Sequence, residues 1–211
     1  MANGALARIQ GAYIGGVRRA AATAMGRLGR SRVTPNALTA AGVLLSVGGA
    51  VLVPFEQRGW GFYWAGATLF VVGSILDILD GALARSLGSG SPFGGFIDST
   101  VDRVGEAAML GAIGLVFMRH ELEWALALTF AAVAGSFLVS YVRARAEILA
   151  LRGDVGIGSR AERVVVITAG LVLAPLHELV LAAAIALLTL TAWVTVVQRI
   201  LAVRTQLRGS S

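Results

Sequence analysis

Six apolar stretches alternate with short polar connections along the chain, and this pattern predicts a bundle of membrane-spanning helices. The stretches are 33–55, 59–76, 104–118, 124–142, 164–176 and 179–198. Most approach the ~20 residues that a helix needs to cross the roughly 30 Å core of a bilayer. The fifth stretch is short, so we expect its helix to extend back toward Arg160 or to tilt little; a re-entrant segment is the alternative.

The first 32 residues follow a different pattern, with apolar side chains at helical spacing and arginines between them. The apolar positions are Leu6, Ile9, Tyr13, Val17 and Leu28. This spacing predicts an amphipathic helix in the cytoplasmic interface; a mobile basic tail and a mitochondrial transit peptide are the alternatives. The predicted fold class is an all-α integral membrane protein with six transmembrane helices plus this N-terminal helix. We expect one domain over 1–211, with an interfacial segment 1–32 and a six-helix core 33–206.

Composition and charge support a membrane protein and predict its orientation. The chain is 56% hydrophobic with a mean hydropathy of +0.77, and only 14% of its residues are charged. All 18 basic residues are arginine, and only Arg58 and Arg119 fall outside the termini and connections that would share one side. The positive-inside rule places that side in the cytoplasm, so we expect a multi-pass cell-membrane protein with cytoplasmic termini. The absence of cysteine excludes disulfides and thiolate chemistry, and no feature predicts a nucleic-acid partner.

Four aspartates at the ends of apolar stretches are the strongest candidates for chemistry. Asp77 and Asp80 share one helix face, as do Asp98 and Asp102, and a short Gly/Ser-rich turn would join the two helices. A carboxylate near the membrane core is costly unless it binds something, and clustered carboxylates repel one another. All-oxygen ligands favour Mg²⁺ first and Mn²⁺ second. The sequence therefore predicts a divalent-cation site on the cytoplasmic side.

A small transporter that conducts a cation is an alternative explanation of these aspartates. That function predicts acidic residues spread through the depth of the membrane. Here the four carboxylates gather at one rim, beside arginines such as Arg85 and Arg103. Such a rim favours a substrate that itself carries negative charge.

The aspartates form a longer pattern, D-x2-D-G-x2-A-R-x8-G-x3-D-x3-D, which resembles the motif of the CDP-alcohol phosphotransferase family. All eight fixed residues of the motif are present between Asp77 and Asp102. The resemblance implies a homodimeric enzyme that transfers a phosphatidyl group from a CDP-lipid to an alcohol and releases CMP. It implies two Mg²⁺ ions, replaceable by Mn²⁺, with Asp77, Asp80 and Asp98 as principal ligands. Asp102 would be the general base and a further metal ligand.

The same resemblance implies a site for the CDP-lipid donor around the motif. Gly81 would let the backbone approach the nucleotide, Ala84 would keep the helix face shallow, and Arg85 would bind a phosphate or a cytosine edge. Thr34-Pro35-Asn36, at the start of the first span, also resembles the family. The expected donor-binding residues are Asn36, Asp77, Asp80, Gly81, Ala84, Arg85, Ser91 and Gly94.

Two arginine-rich runs indicate the acceptor. The runs 140–147 and 158–163 resemble the inositol-phosphate-using branch of the family, the phosphatidylinositol phosphate and archaetidylinositol phosphate synthases. By that resemblance, Ser140, Arg143, Arg163 and Arg199 would hold inositol phosphate, although position 143 is often lysine in the branch.

Three points about these charged residues stay open. Glycerol 3-phosphate is the alternative acceptor, because it too carries a phosphate group. The arginines could instead be membrane anchors whose side chains extend to the headgroups. Glu106 is expected to be a buried partner of an arginine such as Arg103, not a metal ligand.

Overall fold

The computed structural model describes residues 34–88 and 90–209, and every regular element in these two ranges is helical. Six α-helices are present there: α1 (Pro35–Leu52), α2 (Gly61–Ser86), α3 (Pro92–Arg119), α4 (Glu123–Ile148), α5 (Arg160–Leu173) and α6 (Glu178–Gly209). Two short 3₁₀ helices, Val53–Arg58 and Ala174–Leu176, follow α1 and α5. The predicted all-α fold is confirmed. The predicted interfacial helix falls on residues 1–32, which lie outside the described residues.

Local capping signals fix where two of the helices begin. Thr34 precedes Pro35, and its hydroxyl accepts a hydrogen bond from Ala37 N at 3.3 Å. Ser91 precedes Pro92 in the same way and caps α3. Side-chain oxygens of this kind satisfy backbone N–H groups that have no partner within the helix, and proline fits the first helical position. The two proline-led starts therefore fix the beginning of α1 and that of α3, which carries Asp98 and Asp102.

Glycines bring α1 and α2 into very close contact. A Cβ atom added at Gly49 would lie 2.7 Å from Gly66 O, and one added at Gly73 would lie 2.5 Å from Gly42 O. In a membrane, lipid tails are as apolar as leucine, so helices associate through close packing of small residues. These four glycines, which we call the glycine seam, hold α1 and α2 together as one unit.

The largest hydrophobic core lies where α3 meets the later helices. Met109, Ile113 and Phe117 of α3 are almost completely buried, together with Ile167 of α5 and Ile185 of α6. Helix α1 also packs against α3, whereas α2 and α3 make few direct contacts. The two helices that carry the aspartates are therefore held in place by their neighbours.

Four described helical segments are long and apolar enough to cross a membrane: Pro35–Arg58, Gly61–Arg85, Glu123–Ile148 and Leu179–Arg208. Large apolar side chains such as Leu44, Phe130 and Leu190 are exposed on their outer surfaces, as lipid-facing positions would be. Helix α3 is not among the four, because its apolar sequence is interrupted by charged residues, among them Asp102, Arg103 and Glu106. Helix α5 does extend back to Arg160, but its 14 residues span only about 21 Å. Six transmembrane helices therefore remain a prediction.

Candidate active site

Three of the four motif aspartates converge between α2 and α3. Asp77 lies near the end of α2, and Asp98 and Asp102 lie one turn apart near the start of α3. One carboxylate oxygen from each lies within 4.8 Å of the other two. The i, i+4 spacing on α3 produces this geometry, because it directs both side chains toward α2. The predicted carboxylate cluster is thus present for three of its members.

The fourth aspartate, Asp80, does not belong to this group. It is buried, and its Oδ2 accepts a hydrogen bond from the hydroxyl of Thr39 on α1. The expectation that all four carboxylates converge on one point is thus met by three of them, and the role of Asp80 as a metal ligand stays a prediction. One turn of helix separates Asp80 from Asp77, and a hydroxyl on the neighbouring helix provides a competing partner.

An arginine that the sequence did not single out completes the cluster. Arg160, the first residue of α5, donates through Nη1 to Asp77 Oδ2, and its Nη2 lies 2.7 Å from Asp102 Oδ1. A positive charge at a helix N-terminus is unfavourable, because the helix dipole is positive there. An arginine directly after the cap Ser159 was therefore a signal that an anionic partner lies nearby.

The cluster is electrostatically incomplete. Within the described residues, Asp98 Oδ1 and Asp102 Oδ1 are buried without a hydrogen bond of good geometry. Both groups lie outside the four candidate spans. Burial first, and the neighbouring carboxyl groups in addition, raise the pKa of Asp98 to about 6 and that of Asp102 to about 8. Carboxyl groups that are buried close together, and so resist carrying their negative charges unaided, are suited to a hard divalent cation, so the residues fit the predicted metal.

The predicted donor-binding residues lie around the α2–α3 turn and the start of α1. Gly81 is half-buried on α2, and a Cβ atom there would meet only Arg85 Nη1, at 3.4 Å. Arg85 in the last turn of α2 and Asn36 in the first turn of α1 are exposed. Ser91 caps α3 by accepting a hydrogen bond from Gly94 N at 3.0 Å. Their binding of a CDP-lipid, and that of Ala84, stays a prediction.

A wide cavity of about 1270 Å³ opens beside the aspartates, between α3, α4, α5 and α6. Asp102 lines it, and so do all four predicted acceptor residues, Ser140, Arg143, Arg163 and Arg199. The structure thus brings these residues together although they come from three different helices. Their role as acceptor ligands stays a prediction.

Two of the four are also held by the protein itself. Arg163 donates to both carboxylate oxygens of Glu106, at 2.7 and 2.9 Å, and to Gly158 O at 2.9 Å. Arg199 donates to Val155 O at 2.9 Å and to Val139 O at 2.6 Å. Arg143, in contrast, is exposed and pairs with Glu147 one turn along α4.

Glu106 is indeed a buried partner of an arginine, but the suggested partner Arg103 is wrong. Arg103 lies on the same helix and donates to Ser99 O instead. The partner is Arg163, which lies 57 positions further along the chain on α5. Burial explains the choice, because Arg163 is buried too and its guanidinium can bond both oxygens of the carboxylate.

A family model and curated relatives match almost the whole of this helical core. The CDP-alcohol phosphatidyltransferase model matches residues 32–203. A phosphatidylinositol phosphate synthase of Cutibacterium acnes is 40% identical over 186 residues, covering 83% of this chain and 87% of the relative. An archaetidylinositol phosphate synthase of Pyrococcus horikoshii is 39% identical over 170 residues, covering 80% and 82%.

Solved structures agree with the sequence matches. The phosphatidylinositol phosphate synthase of Mycobacterium tuberculosis with CDP-DAG bound superposes with a TM-score of 0.77 and 30% identity, covering 88% of this chain and 94% of that one. The same enzyme in complex with manganese and citrate gives a TM-score of 0.78 and 31% identity, covering 88% and 89%.

The apolar helices and the carboxylate cluster beside an arginine-lined cavity are those of a membrane enzyme. The chain belongs to the CDP-alcohol phosphatidyltransferase family. It is therefore a transferase of phospholipid biosynthesis.

Proposed function

We propose that this enzyme transfers a phosphatidyl group from CDP-diacylglycerol to inositol phosphate, giving phosphatidylinositol phosphate and CMP. One observation carries the choice of acceptor. Asp102 and three arginines, Arg143, Arg163 and Arg199, line one cavity. A glycerol, serine or choline acceptor has no phosphate for these arginines to bind. The similarity to phosphatidylinositol phosphate synthases gives this acceptor further support.

Mg²⁺, replaceable by Mn²⁺, is the cofactor that we propose, with two ions per active site. The carboxylates of Asp77, Asp98 and Asp102 would hold it, and Asp80 would join them as the fourth. The buried Asp98 Oδ1, which has no hydrogen-bond partner among the described residues, supports this assignment. When bound, Mg²⁺ supplies positive charge that neutralises the donor diphosphate and the leaving CMP.

Asp102 has the position expected of a general base. It belongs to the carboxylate cluster and also lines the wide cavity where the acceptor would lie. In the proposed step, the acceptor hydroxyl gives its proton to Asp102 while its oxygen bonds to the phosphorus of the phosphatidyl group. The bond from that phosphorus to CMP breaks, and CMP leaves with the electron pair.

The proposal includes an arrangement in the membrane. Four candidate spans support an integral membrane protein, and we propose that α3 and α5 complete a six-span bundle. The arginine distribution supports a cell-membrane location with both termini and the active site on the cytoplasmic side. We further propose that the enzyme works as a homodimer.

One assay tests the function. The purified protein, with CDP-diacylglycerol and Mg²⁺, is offered inositol phosphate, inositol, glycerol 3-phosphate or serine, and both CMP and the lipid product are measured. Of the four acceptors, we expect only inositol phosphate to support turnover, and we expect no turnover in excess EDTA. If turnover were faster with glycerol 3-phosphate than with inositol phosphate, glycerol 3-phosphate would be the acceptor instead. Equal turnover with free inositol would reject a phosphate-binding site, and turnover in EDTA would reject the metal.

A further inference from the structure

Arg160 lies at the boundary between two cavities. On one side is a narrow cavity of about 10 Å³ that Asp77, Asp102 and Arg160 line together. On the other side is the wide cavity, which Arg160 and Asp102 also line. In the structure, the guanidinium faces the carboxylates and bonds Asp77 and Asp102. Arg160 is thus common to the linings of both cavities.

We propose that Arg160 is a displaceable counter-ion. It neutralises the aspartates before cations bind, and afterwards it turns into the wide cavity and binds the phosphate of the acceptor. This inference rests on the proposed metal site. It adds a positioning residue that couples occupancy of that site to binding of the second substrate.

Arg160 and a bound cation would compete for the same carboxylate oxygens. Arg160 contacts Asp77 Oδ2 and Asp102 Oδ1, both of which belong to residues of the candidate metal cluster. A cation bound there would need such oxygens, and it would repel a guanidinium at hydrogen-bonding distance. Two divalent ions would match the formal charge of the four aspartates. The charge of Arg160 would then be surplus and free for an anion.

The packing around α5 permits this movement. The side chain of Arg160 is 30% exposed, whereas that of Arg163 is 5% exposed and bonded to Glu106. Ser159 and Glu162 form a reciprocal capping box that fixes the helix start. The backbone at position 160 is thus anchored on both sides, so the guanidinium can turn without moving the helix.

The wide cavity indicates which phosphate Arg160 would bind. Arg143 and Arg199 lie in the same cavity, so a turned Arg160 would add to an existing group of positive charges. The acceptor phosphate is therefore its expected ligand, in preference to the donor diphosphate. By reciprocity, a cation that releases Arg160 strengthens acceptor binding, and the acceptor strengthens cation binding by the same factor.

Mn²⁺ binding to the full-length protein in detergent tests the competition, with electron paramagnetic resonance as the readout. We expect Arg160→Gln to bind Mn²⁺ about two- to fivefold more tightly than the wild type, the range for loss of a partly exposed ion pair. Arg145→Gln removes the same charge from an exposed position on α4 and controls for net charge. Arg160→Lys keeps the charge but has one nitrogen with which to bridge two carboxylates, so we expect an intermediate affinity.

Calorimetry with inositol phosphate, without CDP-lipid, tests the coupling. The wild type and Arg145→Gln should bind it more tightly when Mn²⁺ is present, and Arg160→Gln should lose this gain. Equal Mn²⁺ affinity in Arg160→Gln and Arg145→Gln, or wild-type acceptor binding that ignores Mn²⁺, would overturn the inference alone. A gain confined to CDP-diacylglycerol would overturn the assignment to the acceptor. A wild type that binds no Mn²⁺ would reject the proposed metal site and this inference together.

Discussion

Two ion pairs join α3 to α5 within one helical turn. They differ in burial, in hydrogen bonding and in whether the arginine has a second carboxylate partner. The inner pair, Glu106–Arg163, is almost fully buried, and two hydrogen bonds of 2.7 and 2.9 Å join its charged groups. The outer pair, Asp102–Arg160, is 18% and 30% exposed, and its arginine is shared with Asp77. The inner pair satisfies its charges, whereas beside the outer pair Asp98 Oδ1 stays buried without a hydrogen-bond partner among the described residues.

The difference shows how neighbouring charges on the same two helices acquire separate tasks. A buried pair with complete hydrogen bonding costs a great deal to break, because either partner alone would be an uncompensated charge. A shared, half-exposed arginine can be exchanged for another cation at little cost. We therefore expect the inner pair to determine stability and the outer pair to determine activity.

The largest expected effect is on the outer pair. Asp102→Asn should reduce kcat by about 10²–10⁴-fold, because it removes the proposed general base. CDP-lipid binding and Tm should stay close to the wild type. CMP release, lipid binding and thermal unfolding measured on one preparation check all three. Near-normal turnover would show that Asp102 is not the base.

The inner pair should respond in the opposite way. Glu106→Gln leaves the buried charge of Arg163 without its carboxylate, so the free energy of unfolding should fall by about 3–5 kcal/mol. A lower Tm in detergent is the measurement, with Asp102→Asn as the matched control on the same helix. The comparison fails if the two variants lower Tm equally.

The acceptor arginines give a smaller effect. Arg143 is exposed and has no buried backbone partner among its described contacts, so it is a cleaner target than Arg163 or Arg199. Arg143→Gln should raise the KM for inositol phosphate about 10- to 150-fold, the effect of one lost charge-assisted contact. Arg152→Gln, an exposed position outside the wide cavity, should change little. Similar small effects at both positions would favour the alternative that these arginines are membrane anchors.

The smallest expected effect is at the exposed ion pair between Glu147 and Arg143, with which the buried pair can be compared. Glu147 pairs with Arg143 at the surface, and both side chains are more than half exposed. Glu147→Gln should change the free energy of unfolding by about 0.5 kcal/mol or less. A Tm loss as large as that of Glu106→Gln would mean that burial does not distinguish the two pairs.

Local signals in the sequence predicted much of the fold and the aspartate cluster of the candidate site. Thr34 before Pro35 and the i, i+4 spacing of Asp98 and Asp102 act within one or two turns of helix. Such features depend on neighbours in the chain, so the sequence alone contains them. The apolar stretches predicted the helices for the same reason, although they did not predict that charges in α3 and the short α5 would leave only four clear candidate spans.

Partners distant in sequence could not be predicted. Arg160 and Asp77 are 83 positions apart, and Thr39 and Asp80 are 41 apart. Their contacts depend on which helices become neighbours in three dimensions. For Glu106, reasoning within one helix suggested Arg103, whereas the fold provides a better partner from α5. The position of a charged residue along a helix indicates the helix face on which its side chain lies. It does not indicate which residue of another helix the side chain contacts.

The glycine seam, together with a second close contact at Gly105, has a consequence for the size of ion that we expect the site to accept. Helices α2 and α3 barely touch, so the separation of Asp77 from Asp98 and Asp102 depends on α1, which packs against both helices. At Gly105 a Cβ atom would lie 3.1 Å from Ser46 Cβ, so α1 and α3 would have to move apart by a few tenths of an ångström.

That shift is on the scale that separates two common ions. Mg²⁺ prefers oxygens at about 2.0–2.1 Å, whereas Ca²⁺ prefers about 2.3–2.6 Å. We therefore expect the close approach of the backbones to limit the ionic radius that the site accepts, although the contact lies away from the carboxylates themselves. Gly105→Ala would add a methyl group that moves α1 and α3 apart, so it should increase the ionic radius that the site accepts. The ratio of Mg²⁺- to Ca²⁺-supported turnover is the measurement that tests this change.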